Sequence, residues 1–241
     1  MANKKPESKT ESKQDTSIDD ATPDEMQDAI LDAMMAHVPF DGWSQESINK
    51  AAEDVGVTKG FVKLAFPQGA VDMVDAYLKR IDDQMLKQLL KLSVADMKIR
   101  DRISTAIKTR MQINLQNREV VSRTVTFLAM PQNTPLSVRS LWRTADMMWR
   151  WAGDEATDYN HYTKRLVLSG VYSTTLLYWL NDDSEDFSGT WQFLDRRIEN
   201  VMQFEKAKAK GLKIMDNIPG LADIFGPKTK QSENSENKEK S

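Results

Sequence analysis

The chain has 241 residues, of which 40% are hydrophobic and 29% charged, and its formal net charge is −3 at pH 7. That length and apolar content allow a core for one or two domains, and the slightly acidic balance excludes a broadly basic nucleic-acid binder. With no cysteine, disulfides, thiolate metal sites, iron–sulfur clusters and cysteine nucleophiles are excluded.

Residues 1–23 are rich in Lys, Ser, Thr, Glu and Asp. They lack both the apolar stretch of a secretory signal and an Arg-rich amphipathic transit face, so they read as a disordered tail. A first helix then carries Ile30, Leu31, Met34 and Val38 on one face, and Phe40-Asp41-Gly42-Trp43 turns the chain. Ser44 stands where an N-cap would open a second helix, which takes in Ser47–Val55 and ends at Gly56. Thr58 caps a third, recognition-type helix that Pro67 closes. Residues 24–70 thus have a helix-turn-helix outline. Through Ile30-Leu31-Asp32-Ala33, Gly42-Trp43, Ala51-Ala52, Gly56-Val57-Thr58-Lys59-Gly60 and Phe66-Pro67 the segment resembles the DNA-binding end of tetracycline-repressor (TetR) type regulators. The chemistry differs. Asp24–Leu92 holds twelve Asp and Glu against seven Lys and Arg, a balance that repels a duplex before base edges can be read. Lys63-Leu64 stands where those regulators usually place Tyr-His, and Gln68-Gly69-Ala70 replaces their Ser-Lys-Glu, so the scaffold is kept without its phosphate contacts.

Helical periodicity continues through residues 71–205. Ile81, Met85, Leu86, Leu89 and Leu90 mark one face, and Ile99, Ile103, Ile107, Met111 and Leu115 another. Further helices are expected over Glu119–Met130, Pro135–Ala152, Thr157–Leu180 and Ser184–Lys208, with a rigid corner at Met130-Pro131 and Thr134-Pro135. The uncharged run Leu166–Leu180 has fifteen residues, short of the ~20 needed to span a bilayer, and so predicts a buried central helix. No segment alternates with period two, so the fold class is all-α: a small N-terminal unit feeding a larger helical domain.

Met147–Arg165 packs aromatics, acids and a basic pair into one stretch. Gly153 can end one helix, and Asp154 or Thr157 can cap the next. Trp149, Ala152-Gly153-Asp154, Thr157-Asp158, Asn160, Tyr162-Thr163 and Lys164-Arg165 are similar to the signature of the ninth coenzyme Q biosynthesis protein family. Leu128–Pro135, Tyr172–Thr175, Asp186-Phe187 and Trp191–Leu194 also match it. The resemblance runs from about Ile30 to Met202. It implies a TetR-like helical homodimer that is not an enzyme and does not bind nucleic acid. It also implies a protein that takes isoprenoid lipids, including quinone intermediates, from the membrane to the demethoxyubiquinone hydroxylase. The expected place is the cytoplasmic side of a bacterial inner membrane, bound peripherally.

On that resemblance the hydroxylase-facing set is Asp146, Trp149, Asp158, His161, Tyr162 and Arg165. Eukaryotic members tend to have Trp at the position of His161, so the anchor here is less apolar. A helical cavity for the lipid is expected to be lined by Phe127, Leu128, Leu141, Trp142, Met147, Met148, Val171, Thr175 and Trp179.

Asp158 and His161 have the spacing that puts a carboxylate and an imidazole on one helical face. A di-iron bundle also needs several inward Glu and a second Glu-x-x-His, and His37 and His161 are the chain's two histidines. No metal site is expected, and no Gly-rich phosphate loop, GxSxG or HExxH motif occurs. The expected ligand is a bound lipid or quinone intermediate rather than a cofactor. Residues 206–226 set Lys206, Lys208, Lys210 and Lys213 beside an apolar stripe of Ile214, Ile218, Leu221 and Phe225, the pattern of an interfacial helix, kinked at Pro219-Gly220. Such a stripe also suits packing on the body or on a second subunit. The resemblance favours membrane. Residues 227–241 read as a solvated tail. The alternative function is a ligand-responsive transcriptional regulator of TetR type, with a di-iron oxygenase third.

Overall fold

The computed structural model describes residues 22–157 and 159–216, with side chains to residue 203. Among these residues the chain is helical and has no strand. The helices are α1 (Pro23–Asp41), α2 (Gln45–Val55), α3 (Lys59–Ala65), α4 (Ala70–Leu89), α5 (Ile99–Ile113), α6 (Arg118–Leu128), α7 (Thr134–Trp151), α8 (Tyr159–Trp179) and α9 (Ser188–Asp216). Two compact units divide the chain, Met1–Leu194 and Asp195–Ser241, and the described part of the second is the remainder of α9. Both tail segments read from composition lie outside the described residues except Thr22 and Pro23, which open α1. No helix among the described residues is long and apolar enough to cross a membrane.

Local chemistry sets the first three helices. Thr22 Oγ1 accepts from Glu25 N at 3.3 Å while the Glu25 carboxylate accepts from Thr22 N at 2.9 Å, a reciprocal box that satisfies two otherwise orphan donors. Ser44 accepts from Ser47 N at 3.2 Å, and Thr58 from Phe61 N at 3.2 Å. Gly56 ends α2 at φ 75°, a left-handed conformation that favours glycine. The predicted helix-turn-helix outline is therefore present, with Ile30, Leu31, Met34 and Val38 buried as their spacing requires. It is docked by Trp43, which is 6% exposed, lies against Tyr77 of α4 at 5.5 Å between ring centroids, and donates its indole N–H to Thr124 of α6 at 2.9 Å. Helix α3 buries Val62 and leaves Lys59, Lys63 and Leu64 exposed.

The larger bundle packs α4 on α5 and α7, and α7 on α8. Buried faces include Met73, Tyr77, Ile81 and Met85 of α4 with Ile103, Ile107 and Met111 of α5. Two predicted elements differ in detail. Helix α8 is buried on one face only: Leu168, Val171, Tyr172, Thr175 and Trp179 are buried, while Leu166 and Leu177 are 69% and 51% exposed, because its partners within the bundle cover a single side. The helix expected from Ser184 starts at Ser188, after a short turn at Glu185–Phe187 in which Asp186 and Phe187 have φ of 51° and 55°. Asp182 causes this displacement. Its carboxylate accepts from Ser184 N at 3.0 Å, Thr190 N at 2.7 Å and Thr190 Oγ1 at 2.6 Å, so it takes the role of a cap from outside the helix.

Candidate functional site

Helices α4 to α8 enclose a cavity of about 240 Å³. From α7 the stripe Ser137, Ser140, Leu141 and Thr144 faces it, and from α8 Tyr172, Ser173, Leu176, Leu177 and Trp179, a helical period in both cases. Leu78 and Ile81 of α4, Met111 of α5 and Val121, Val125 and Leu128 of α6 complete its apolar wall. Exposed Ala129 and Leu177 also line it, which puts its mouth beside the end of α6 and the outer side of α8.

Part of the wall is a buried polar chain. Tyr77 Oη donates to Asn114 Oδ1 at 3.0 Å, and Asn114 Nδ2 to the Arg110 carbonyl at 2.9 Å. Arg110, 4% exposed, pairs with Asp82 at 3.1 Å. Asp82 also accepts from Thr144 Oγ1 at 2.8 Å and from Arg143 Nε at 3.1 Å, and Arg143 reaches Asp75 at 2.8 Å. Two arginines thus meet two aspartates. Burial pushes the hydroxyls of Tyr77 and Tyr172 above the usual phenol range, so both stay neutral. Burial acts against the Arg110 charge, but the Asp82 carboxylate at 3.1 Å outweighs it, and the Tyr172 ring lies 5.4 Å from the guanidinium. Two donors in this wall have no acceptor: Arg110 Nε and the indole N–H of the fully buried Trp179.

Of the residues expected to line a cavity, Leu128, Leu141 and Trp179 do so. Phe127 packs on the N-terminal core, and Val171, Thr175 and Met148 are buried but do not line the cavity. Met147 and Trp142 are half-buried beside the lining stripe. Trp142 joins an aromatic cluster at the start of α8, with ring centroids 6.3 Å from His161 and 5.9 Å from Tyr162. Composition selected these residues, whereas the rotation of each helix about its axis selects the lining. Tyr77, Arg110, Asn114 and Thr144 were missed although a signal existed. Arg110 and Asn114 continue the apolar stripe of Ile107 and Met111, where a polar residue must find a buried partner.

The turn between α7 and α8 is held by a knot of charge. Arg165, 1% exposed, donates to Asp146 at 2.6 Å, to Asp154 at 3.0 Å and to the His161 carbonyl at 3.0 Å. Lys164 reaches Asp154 at 2.5 Å, and Arg150 reaches Asp146 at 2.6 Å. Burial alone would raise the Asp154 carboxyl, but Lys164 and Arg165 hold it below the usual carboxylate range. One expectation is corrected here. Arg165 is spent inside the protein rather than presented to a partner, and Asp154 binds the same cations. Trp149 is half-buried, donates to the Lys164 carbonyl at 3.0 Å and lies under the Lys164 ammonium. His161 Nδ1 is 2.9 Å from the Ala156 carbonyl. Asp158 lies outside the described residues, and among those described no three His, Cys, Asp or Glu side chains are grouped to hold a metal. What this turn presents outward is Tyr162, 61% exposed, with Tyr159 and Leu166, which the sequence reading did not place on a partner face. Lys206, Lys208, Lys210, Lys213 and Ile214 fall in the continuous helix α9 with side chains outside the described set, and Ile218, Leu221 and Phe225 lie outside the described residues.

Residues 134–205, which hold α7, α8 and the first part of α9, match the COQ9 family. The chain is 32% identical over 201 residues to the mitochondrial ubiquinone biosynthesis protein COQ9 of Rattus norvegicus, covering 79% of this chain and 64% of that protein. It is 30% identical over 201 residues to the Homo sapiens protein of the same name, covering 79% and 63%. It therefore spans somewhat less than two thirds of these relatives. Among solved structures, a TetR transcriptional regulator from Nitrosomonas europaea ATCC 19718 superposes with a TM-score of 0.61 at 22% identity, over 74% of this chain and 99% of that one. The TetR-like fold is shared.

Proposed function

We propose, on the premise that the chain is a homologue of the COQ9 ubiquinone biosynthesis proteins, that it serves in ubiquinone biosynthesis as a non-catalytic lipid-binding protein. It shelters part of an isoprenoid quinone intermediate in the cavity among α4 to α8 and presents it to the demethoxyubiquinone hydroxylase. It works as a homodimer, peripheral to an inner membrane, with residues 206–226 touching the lipid surface. The observation that carries the reading is an apolar-walled cavity, open beside Leu177, within a helical domain homologous to COQ9. An apolar wall recovers hydrophobic free energy from any isoprenoid it covers. The exposed Tyr159, Tyr162 and Leu166 supply an aromatic and aliphatic face suited to a protein partner.

Mass spectrometry of lipids that co-purify with the native protein tests the proposal, with an isoprenoid quinone or its precursor expected. Protein that carries no isoprenoid and takes none from quinone-loaded vesicles would overturn it. Reversing the charge of Lys206, Lys208, Lys210 and Lys213 is expected to abolish binding to anionic liposomes. If the unaltered protein ignores those liposomes, the membrane step is wrong.

A further inference from the structure

Exposed aliphatic side chains scattered singly over a surface are ordinary, but one corner of this molecule gathers them. Between α4 and α5, Leu90, Leu92 and Ile99 are 68%, 46% and 47% exposed. Exposed Lys87, Lys91 and Lys98 stand among them, and among the described residues none of these lysines is paired with a carboxylate. Residues 87–100 hold four Lys and Arg against a single acid, Asp96, in a chain whose net charge is −3. The corner is held in shape from within. Arg102 donates from Nε to the Met97 carbonyl at 3.0 Å, and from its two terminal nitrogens to the Val94 carbonyl at 2.8 Å and the Ala152 carbonyl at 2.9 Å. The Trp151 indole N–H donates to the Leu89 carbonyl at 3.1 Å. These bonds tie the corner to the end of α7 and fix its backbone, with Leu90 and Leu92 outside while Leu89 between α4 and the bundle is fully buried.

We propose that this corner is a contact for an anionic lipid surface, which receives Leu90, Leu92 and Ile99 at the depth of its head groups while Lys87, Lys91 and Lys98 meet the lipid phosphates. The chemistry separates a bilayer from a protein partner. Cores of protein interfaces are rich in aromatic residues and poor in lysine, whereas residues 87–100 have three lysines and no Phe, Tyr or Trp. Aliphatic side chains interleaved with lysines suit a head-group region, since the lysine stem lies along apolar surface and its ammonium stays with phosphate. A loop already fixed by Arg102 loses little freedom on binding. The proposal rests on the membrane-peripheral part of the reading above. It adds a contact made by the folded bundle, in residues other than the lysine-rich 206–226.

The test places a solvent-sensitive fluorophore in the full chain, which has no cysteine of its own, so that Ser93→Cys and Lys59→Cys each give one labelled position. Both are exposed, Ser93 in the corner and Lys59 on α3. Vesicles of phosphatidylcholine and phosphatidylglycerol are expected to bind the protein, to shift the emission of the corner label to the blue and to leave the α3 label unchanged. Leu90→Ser with Leu92→Ser, and separately Lys87→Gln with Lys91→Gln, alter exposed positions and should fold, which circular dichroism checks. Each pair is expected to weaken vesicle binding at least fivefold, since one lysine near an anionic surface contributes about that factor alone. Vesicle binding with no shift of the corner label, or binding untouched by both pairs, overturns this contact and leaves the membrane reading standing on residues 206–226. A shift caused by the hydroxylase in solution and not by vesicles assigns the corner to a protein and overturns it too. No binding to vesicles at all removes the membrane reading and this contact together.

Discussion

Replacing Arg165 by Met tests whether the α7–α8 turn is held from inside. The guanidinium is 1% exposed and donates to Asp146 at 2.6 Å, Asp154 at 3.0 Å and the His161 carbonyl at 3.0 Å. Removing one member of a buried ion pair typically costs about 3–5 kcal/mol, because the other charge stays buried alone. Here each carboxylate keeps a second cation, Arg150 on Asp146 and Lys164 on Asp154, so the expected loss is at the lower end, about 3 kcal/mol. For a domain of this size that lowers Tm by roughly 6–12 °C. The knot also predicts a direction with pH. The Asp154 carboxyl is held below the usual carboxylate range in the folded protein, so its contribution is complete above that range and is lost as pH falls through the depressed value. Arg165→Met should therefore melt early near neutral pH and converge on the parent protein in acid. The assay is thermal unfolding by circular dichroism at several pH values. An Arg165→Met protein as stable as its parent at neutral pH, yet weakened in binding the hydroxylase, would refute the internal role and restore this residue to the partner surface.

Asp182→Asn should cost about 2 kcal/mol, since it weakens three charge-assisted bonds at the start of α9, and thermal melting will measure it. The Thr190 hydroxyl foremost holds the Asp182 carboxyl below the usual range, so this contribution too is lost on the acid side, and the two proteins should differ least there. On α8, Tyr162→Ala with Leu166→Glu should leave stability within about 0.5 kcal/mol, because both side chains are exposed. The same pair should weaken capture of the hydroxylase by tenfold or more. A stability loss beyond that figure would mean that this face is packed rather than presented.

Sequence alone carried the helices because their ends are fixed by residues within four of one another. Ser44, Gly56 and Thr58 could be read as caps and stops before any contact was known, and the burial of Ile30, Leu31, Met34 and Val38 followed from spacing. The start of α9 escaped this logic, since its donors are taken by Asp182, eight residues before Thr190.

The site was decided by tertiary structure. Leu141 and Trp142 are neighbours in the chain, yet one lines the cavity and the other joins the surface aromatic cluster. Arg165 reads as a surface cation until Asp146, nineteen residues away, is brought to 2.6 Å. Arg110 and Trp179 line one cavity across sixty-nine positions of sequence. Periodicity states that a helix has an apolar side, but which residues on that side meet a neighbour and which meet a space depends on the position of helices far away in the chain. That information exists only once the bundle has closed.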